Sequence, residues 1–309
     1  MAVKYYCAIY AQSRNRRVRV FDFSQIMNIN SVTKIPVRPF LKWAGGKRWF
    51  IGNYSQHLPQ FSGSYIEPFL GSGAVFFGIQ PERALLSDTN EALIETFQAI
   101  KNDCSAVIST LDVHLRHHSK DYYYQMRSIV PETRVERAAR FIYLNRTCWN
   151  GLYRVNSQGQ FNVPIGSKSR VKIEDNEFDS ISNSLQNTDL RVCDFEVTID
   201  KATESDFVFV DPPYTVRHNQ NGFINYNESL FSWADQERLA RSLIRAKNRG
   251  VKIVATNAFH ACIHELYQEH FNIVQVSRFS SIAGKVKSRQ SFEETVITSP
   301  NIRFQEVGK

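Results

Sequence analysis

The chain has 309 residues, of which 42% are hydrophobic, enough for one large α/β domain or a domain with a sizeable insertion. It has no run of about 18 apolar residues and no signal peptide pattern, so we expect a cytoplasmic, intracellular protein. Its five cysteines are an odd number without a Cys-x-x-Cys pair, which argues against a disulfide framework or a structural zinc site. Basic residues outnumber acidic ones by 38 to 30, and the net charge of +8 favours a polyanionic partner.

The first 35 residues are predicted to be an N-terminal extension of unknown role. Residues 18–23 alternate as in a strand, and four arginines lie between positions 14 and 19. An added strand pair, an arm that touches DNA and a solvated leader all remain open.

Two segments between residues 40 and 90 are typical of a nucleotide-like cofactor site. The segment FLKWAGGK at 40–47 places two glycines between Trp43 and Lys47, so that the backbone can approach a ligand. A predicted strand at 64–67 leads into the glycine-rich turn PFLGSGA. A second strand, 84–87, ends at Asp88, which is placed to accept hydrogen bonds from ribose hydroxyls and to cap the following helix.

The pattern changes between about residues 104 and 189. Helical spacing predicts helices near 106–118 and 135–145, and turn residues at 156–159 predict a β-hairpin over 146–166. Its arms are rich in arginine and asparagine, the side chains that read guanine and adenine edges. An exposed polar hairpin without a ligand is the alternative.

The stretch DFVFVDPPY at 206–214 predicts a short strand that is buried on both faces and stopped by two prolines. Asp211 and Tyr214 therefore follow the carboxyl end of a strand, where α/β sheets bind their ligands. Ser232 and Asp235 predict a capping box for a helix that ends at Gly250. Further strands at 251–255, 271–276 and 294–298, with a helix around 263–270, complete a doubly wound sheet with a closing antiparallel hairpin.

These motifs occur together in one family. FLKWAGGK at 40–47, EPFLGSG at 67–73, Asp88, NGLYR at 150–154 with FNVP at 161–164, and DPPY at 211–214 resemble a Dam-like, alpha-class (D12-type) DNA adenine-N6 methyltransferase. The resemblance implies an α/β fold with a doubly wound, mostly parallel, Rossmann-like sheet. It also implies a catalytic domain at 36–104 and 190–309, and a target-recognition domain at 105–189 that carries the hairpin.

The resemblance implies S-adenosylmethionine as methyl donor and no metal. The matched cofactor-binding positions are Trp43, Lys47, Glu67, Phe69, Gly71, Gly73, Asp88, Asp194 and Asp211. The matched catalytic positions are Asp211, Pro212, Pro213 and Tyr214. Asp211 and the Pro212 carbonyl would accept the hydrogens of the target amine, and Tyr214 would stack on a base flipped out of the duplex.

The implied macromolecular partner is double-stranded DNA, with GATC as the suggested site. The matched DNA-binding positions are Lys42, Trp149, Asn150, Leu152, Arg154 and Pro164. Basic residues near the end of the chain, which we expect to contact phosphates, are Arg278, Lys285, Lys287 and Arg289. A bacterial or phage origin and a cognate restriction endonuclease as partner also follow from the resemblance, and no membrane partner is expected.

Other functions remain open at this point. A related enzyme could methylate RNA adenine, cytosine N4 or a protein glutamine, although the last two more often have serine or asparagine in place of Asp211. The chain could also be a DNA-binding relic without activity. The loop from Thr215 onward differs from the commonest Dam-like continuation, which weakens the assignment of the target site.

Overall fold

The computed structural model describes residues 37–167, 175–216, 231–279 and 291–304. Their strands form one sheet in the order β3-β2-β1-β4-β5-β7-β6. The strands are β1 (Tyr65–Glu67), β2 (Ala84–Asp88), β3 (Thr188–Val192), β4 (Phe207–Val210), β5 (Lys252–Ala258), β6 (Asn272–Phe279) and β7 (Ser291–Thr298). The first five run parallel, while β7 pairs antiparallel with both β5 and β6. The predicted doubly wound sheet with a closing antiparallel hairpin is confirmed.

The helices of the described residues lie between these strands in sequence, except α1, which precedes β1. They are α1 (Arg48–Tyr54), α2 (Ala74–Ile79), α3 (Glu91–Arg116), α4 (Lys120–Ser128), α5 (Arg134–Thr147), α6 (Asp175–Leu185), α7 (Phe195–Ile199), α8 (Trp233–Asn248) and α9 (Ala261–Tyr267). The predicted helix near 106–118 is the second half of α3, and α1, α4, α6 and α7 were not predicted. At Asp103, close to the predicted domain boundary, α3 leaves helical geometry, with φ −136° and ψ 46°.

The strand β4 is the fourth of the seven strands and lies at the centre of the whole sheet, between β1 and β5. Its four residues are fully buried, Phe207 and Phe209 in the apolar cluster on one face and Val208 and Val210 in the cluster on the other. Burial on both faces explains the continuous apolar run. The two prolines that follow lack the N–H groups that would continue the ladder, so β4 ends at Val210 as predicted.

Two local predictions differ in outcome. The capping box of Ser232 and Asp235 at the start of α8 is confirmed, and Gly250 follows the helix with a positive φ of 86°. The cap of α3 is Asn90, whose side chain accepts the Leu93 N–H, and the prediction of Asp88 at this position is wrong. The Asp88 carboxylate instead accepts the backbone N–H groups of Gly71 and Asn90, because it lies beside the glycine turn.

The predicted hairpin at 146–166 has less regular structure than expected. Two isolated antiparallel bridges, Cys148 with Ile165 and Val155 with Phe161, hold it together, and residues 149–151 form a 3₁₀ turn. The reason is local: Asn150 and Gly151 have positive φ angles of 57° and 66°, which no extended arm can contain.

Several predicted features lie outside the described residues. They are the N-terminal extension, most of the loop after Val216, and the basic positions Lys285, Lys287 and Arg289. Arg278 lies in β6, but its side chain is not among those described.

The start of β4 is tied to its surroundings by the buried carboxylate of Asp206. Its Oδ1 accepts the Ser64 N–H at 2.6 Å, and its Oδ2 accepts the N–H and hydroxyl of Thr203, both at 2.8 Å. Buried donors that lose their acceptor cost about 1–3 kcal/mol.

We expect Asp206→Ala to lower the free energy of unfolding in urea by about 2–3 kcal/mol. Glu204→Ala, at the exposed position two residues earlier, is the control and should change it by less than about 0.5 kcal/mol. An equal effect of the two substitutions would contradict this account.

Candidate active site

Lys47 is the buried cation of the site. It precedes α1, and its side chain is only 3% exposed. Its ammonium lies 2.8 Å from the Gly45 carbonyl oxygen, 2.8 Å from Asp211 Oδ1 and 3.5 Å from Glu294 Oε2. A lysine ammonium has three hydrogens, so each has an acceptor within reach. Lys47, which lies between the paired glycines and α1, thus places a positive charge at the carboxyl end of β4.

The carboxylate of Asp211 is held from two sides. Besides Lys47, its Oδ1 accepts a hydrogen bond of 2.8 Å from the hydroxyl of Thr256 on β5. The side chain is 19% exposed, so part of it can be reached from outside. Asp211 is therefore a fixed, charged acceptor at the edge of the sheet.

Tyr214 is held by a contact to the antiparallel end of the sheet. Its hydroxyl donates to Glu294 Oε2 at 2.7 Å, and the Lys47 ammonium lies 5.1 Å from its ring centroid. Burial, followed by the charges of Asp211 and Glu294, raises the pKa of Tyr214 well above its usual value. The phenol therefore stays protonated and donates to the carboxylate. Next to it, the carbonyl of Pro213 accepts from the buried side chain of Gln236 at 3.4 Å.

The glycine turn after β1 is packed against Trp43. Gly71 and Gly73 have positive φ angles of 47° and 67°, and a Cβ on Gly71 would lie 2.8 Å from the Trp43 ring. The Gly71 N–H donates to Asp88 Oδ2 at 3.1 Å. Burial raises the pKa of Asp88, although its backbone hydrogen bonds oppose that shift. Three sequence-predicted positions, Trp43, Gly71 and Asp88, thus meet at one turn.

Glu67 lies at the end of β1, where its Oε2 accepts the hydroxyl of Tyr65 at 2.8 Å. Complete burial, with a smaller contribution from the Asp211 charge, raises its pKa to about 8, against the opposing effect of the Tyr65 hydrogen bond. The side chain is thus mainly protonated at neutral pH. It adds no second full negative charge next to Asp211.

Phe69 and Asp194 are brought together by Phe195. The rings of Phe69 and Phe195 stack at 5.3 Å and 23°. Asp194 caps α7 by accepting the Glu196 N–H, and both of its oxygens accept from Arg238, at 2.6 and 2.9 Å. The pKa of Asp194 is lowered, mainly by those hydrogen bonds to Arg238. An aromatic surface and a fixed carboxylate therefore lie beyond the ends of β1 and β3.

The predicted DNA-contacting positions, apart from Lys42, lie on the hairpin segment. Trp149 is 57% exposed, and Asn150, Arg154 and Pro164 are also exposed, while Leu152 is half-buried. The segment is closed by a hydrogen bond of 2.8 Å from the Trp149 N–H to the Pro164 carbonyl.

Arg154 forms one side-chain hydrogen bond within its own hairpin. Its Nε donates to Asn162 Oδ1 at 2.8 Å, across the loop. This bond fixes the direction in which the exposed guanidinium leaves the segment.

The hairpin segment is fixed to the loop that carries Trp43. The Asn145 side chain accepts the Lys42 N–H at 2.9 Å and donates to the Lys42 carbonyl at 2.8 Å and to the Gly151 carbonyl at 3.3 Å. The ring of Tyr153 stacks on Trp43 at 5.4 Å and 21°. The stem of Lys42 fills the place where a Cβ on Gly151 would lie. The predicted cofactor and DNA positions therefore share one packed unit.

Sequence reasoning did not identify Thr256, Glu294, Asn145 or Arg238. Each acts through a partner that is distant along the chain: Glu294 is 80 residues from Tyr214, and Asn145 is 103 residues from Lys42. Its place at the start of the predicted last strand, 294–298, was the local signal for Glu294.

Comparisons with known proteins identify the family. The model of the D12 class of N6 adenine-specific DNA methyltransferases matches residues 43–282. The chain belongs to this class. A type II methyltransferase of Lactococcus lactis subsp. cremoris is 37% identical over 282 residues, covering 88% of this chain and 99% of that protein.

Two further relatives come from distant organisms. A type II methyltransferase of Methanocaldococcus jannaschii is 36% identical, covering 78% of this chain and 91% of that protein. The DNA adenine methylase of Haemophilus influenzae is 32% identical, covering 85% of this chain and 94% of that protein.

Membership in the D12 class confirms an enzyme that methylates adenine N6 in DNA, and it decides among the amine targets that the sequence left open. The methyl donor of this class is S-adenosylmethionine. In the described part of the chain, no group of three or more His, Cys, Asp or Glu side chains could hold a metal ion. Nor does any helix described here have the length and apolar character needed to cross a membrane.

The raised pKa of Glu67 predicts a pH-dependent stability. The unfolded chain loses this proton near pH 4.5 and the folded protein near pH 8, so the stability that Glu67 contributes is complete below pH 4.5 and is lost as the pH rises toward 8. Glu67→Gln keeps an acceptor for Tyr65 but cannot ionise. We expect it to gain stability relative to the wild type by about 1 kcal/mol per pH unit across this window, measured by urea unfolding at pH 5, 6.5 and 8.

Glu82→Gln, at an exposed position, is the matched control for the loss of a carboxyl group. The account fails if the difference in free energy of unfolding between Glu67→Gln and the wild type is the same at pH 5 and pH 8.

Proposed function

We propose that this protein methylates an adenine that has left a DNA duplex and entered the opening beside Asp211 and Tyr214. The observation that carries the proposal is the single cluster at the carboxyl ends of the parallel strands. There, a fixed carboxylate, a tyrosine ring and a glycine turn lie together, as ligand sites in open α/β sheets do.

The residues around the glycine turn fit the methyl donor. Because Gly71 has no Cβ, the Trp43 ring packs directly against the turn, and Asp88 presents a carboxylate at the end of β2, where ribose hydroxyls could donate to it. S-adenosylmethionine, when bound, supplies an electrophilic methyl group on a positively charged sulfur. In this proposal Phe69 and Asp194 flank its adenine part, and Glu67 and Gly73 complete the surrounding loop.

Trp43 and Lys47 are proposed to hold the methionine part of the donor. The Lys47 ammonium already has three acceptors, so it would contact a cofactor carboxylate only by exchanging one of them. The negative charge of Asp211 next to it favours a positively charged sulfur in the same region.

The target amine needs help because its lone pair is delocalised into the purine ring. Asp211 and the Pro212 carbonyl would each accept one of its hydrogens, which draws the nitrogen toward tetrahedral geometry and directs its lone pair at the methyl group. Asp211 need not remove a proton before attack. Tyr214 would stack on the base, and Pro213 holds the turn between them.

The role of Asp211 predicts a loss of chemistry without a loss of binding. We expect Asp211→Ala to reduce methyl transfer to duplex DNA by at least about a thousandfold, since a directed acceptor is removed from the reacting nitrogen. The dissociation constant for duplex DNA should stay within about threefold. Asp112→Ala, an exposed carboxylate on α3, is the control and should retain full activity. Substantial transfer by Asp211→Ala would show that the proposed mechanism is wrong.

The hairpin segment is proposed to read the DNA sequence beside the flipped base. Its exposed tryptophan, asparagine, arginine and proline, with Leu152 and the nearby Lys42, form a mixed polar and aromatic surface. Its likeness to Dam-type hairpins supports GATC as the target. The names of the type II relatives support a cognate restriction endonuclease as a functional partner of this chain.

Arg154 provides a test of base reading. A bidentate contact to one base is worth about 1–3 kcal/mol of discrimination, so Arg154→Ala should reduce the preference for one position of the site by that amount. The measurement is methyl transfer to duplexes that differ at single positions. Arg116→Ala, a matched loss of an exposed arginine on α3, should keep the wild-type preference. A uniform loss over all duplexes would assign Arg154 to a phosphate instead.

A further inference from the structure

Glu294 lies at the centre of the site although it comes from the closing strand of the sheet. It is on β7, paired in register with Ala258 of β5 and Val276 of β6, and it is only 4% exposed. It lies beyond residue 282, where the match to the D12 class ends. A buried glutamate requires partners that compensate for its desolvation.

One oxygen of Glu294 joins two groups of the site. Oε2 accepts the Tyr214 hydroxyl at 2.7 Å and lies 3.5 Å from the Lys47 ammonium. The same ammonium lies 2.8 Å from Asp211 Oδ1. A continuous chain of polar contacts therefore runs from the tyrosine ring through Glu294 and Lys47 to the Asp211 carboxylate.

This chain acts on the two side chains that would hold the target base. Because the phenol donates to a charged acceptor, the hydrogen bond is strong and fixes the position of the Tyr214 hydroxyl. Because Lys47 lies between two carboxylates, its position, and with it that of the Asp211 oxygen, depends on both of them.

We propose that Glu294 is a positioning residue for methyl transfer, which holds the Tyr214 ring and, through Lys47, the Asp211 carboxylate in the geometry that the target adenine requires. This inference rests on the proposed roles of Asp211 and Tyr214. Its consequence is specific: loss of Glu294 lowers the rate of transfer more than it weakens the binding of the methyl donor or of DNA.

The test measures single-turnover methyl transfer together with the dissociation constants for S-adenosylmethionine and for duplex DNA. Glu294→Gln keeps the shape and an acceptor for Tyr214 but loses the charge that faces Lys47. We expect its transfer rate to fall at least tenfold, with both dissociation constants within about twofold of the wild type. Glu293→Gln, at the exposed neighbouring position of the same strand, is the matched control and should transfer at the wild-type rate.

A double-mutant cycle separates positioning from a general structural role. Tyr214→Phe removes only the hydroxyl, and we expect it to slow transfer severalfold in the wild type but less than twofold when Glu294→Ala is already present. Multiplicative effects of the two substitutions would overturn the proposal. If Glu294→Ala does not fold, the test uses Glu294→Gln alone. The proposal is overturned if Glu294→Gln transfers methyl groups at the wild-type rate, or if its binding of S-adenosylmethionine is weakened as much as its rate.

Failure of the inference about Glu294 can be distinguished from failure of the proposed active site. If Asp211→Ala abolishes transfer while the Glu294 variants are normal, only the inference about Glu294 fails. If Asp211→Ala remains active, the proposed roles of Asp211 and Tyr214 fail first.

Discussion

The buried ammonium of Lys47 joins parts of the chain that are far apart in sequence. Its contacts reach its own loop, the end of the central strand and the last strand of the sheet. Removing one charge from such a group leaves the others buried without compensation, a change that typically costs several kcal/mol. The arrangement of the site therefore depends on the antiparallel closing strands as much as on the parallel strands that bind ligands in other α/β proteins.

A second constraint connects the site to the hairpin segment. The Trp43 ring packs against the glycine turn on one side and against Tyr153 of the hairpin on the other, while Asn145 binds the backbone on both sides. The segment proposed to read DNA is thus attached to the loop proposed to hold the methyl donor. Because of these contacts, a shift of the hairpin segment would displace Trp43.

Much of this architecture could be predicted because its signals are local. The strand at 207–210 was bounded correctly, since a fully buried apolar run and two prolines each act on their own residues. The start of α8 was likewise predicted from a capping pair three residues apart. Local reasoning failed for the predicted helix cap at Asp88: its carboxylate lies beside Gly71 and accepts the N–H of the glycine turn, while Asn90 caps α3.

The features that could not be predicted depend on how the strands pair and on the backbone angles of single residues. The burial of Glu294 follows from pairing between β7 and its two neighbours, which no short window of sequence contains. The irregular hairpin depends on two consecutive positive φ angles that asparagine and glycine tolerate but do not dictate. The reaction was identified from membership in the D12 class. The contacts of Lys47, Asp211 and Tyr214 are the basis of the proposal for how this chain performs it.

The most direct test of that account is base-resolution sequencing of DNA treated with the protein and S-adenosylmethionine. The account predicts N6-methyladenine confined to one short sequence, proposed to be GATC, and its absence after treatment with Asp211→Ala. Methylated cytosine, or no methylated base in DNA treated with the wild-type protein, would contradict it.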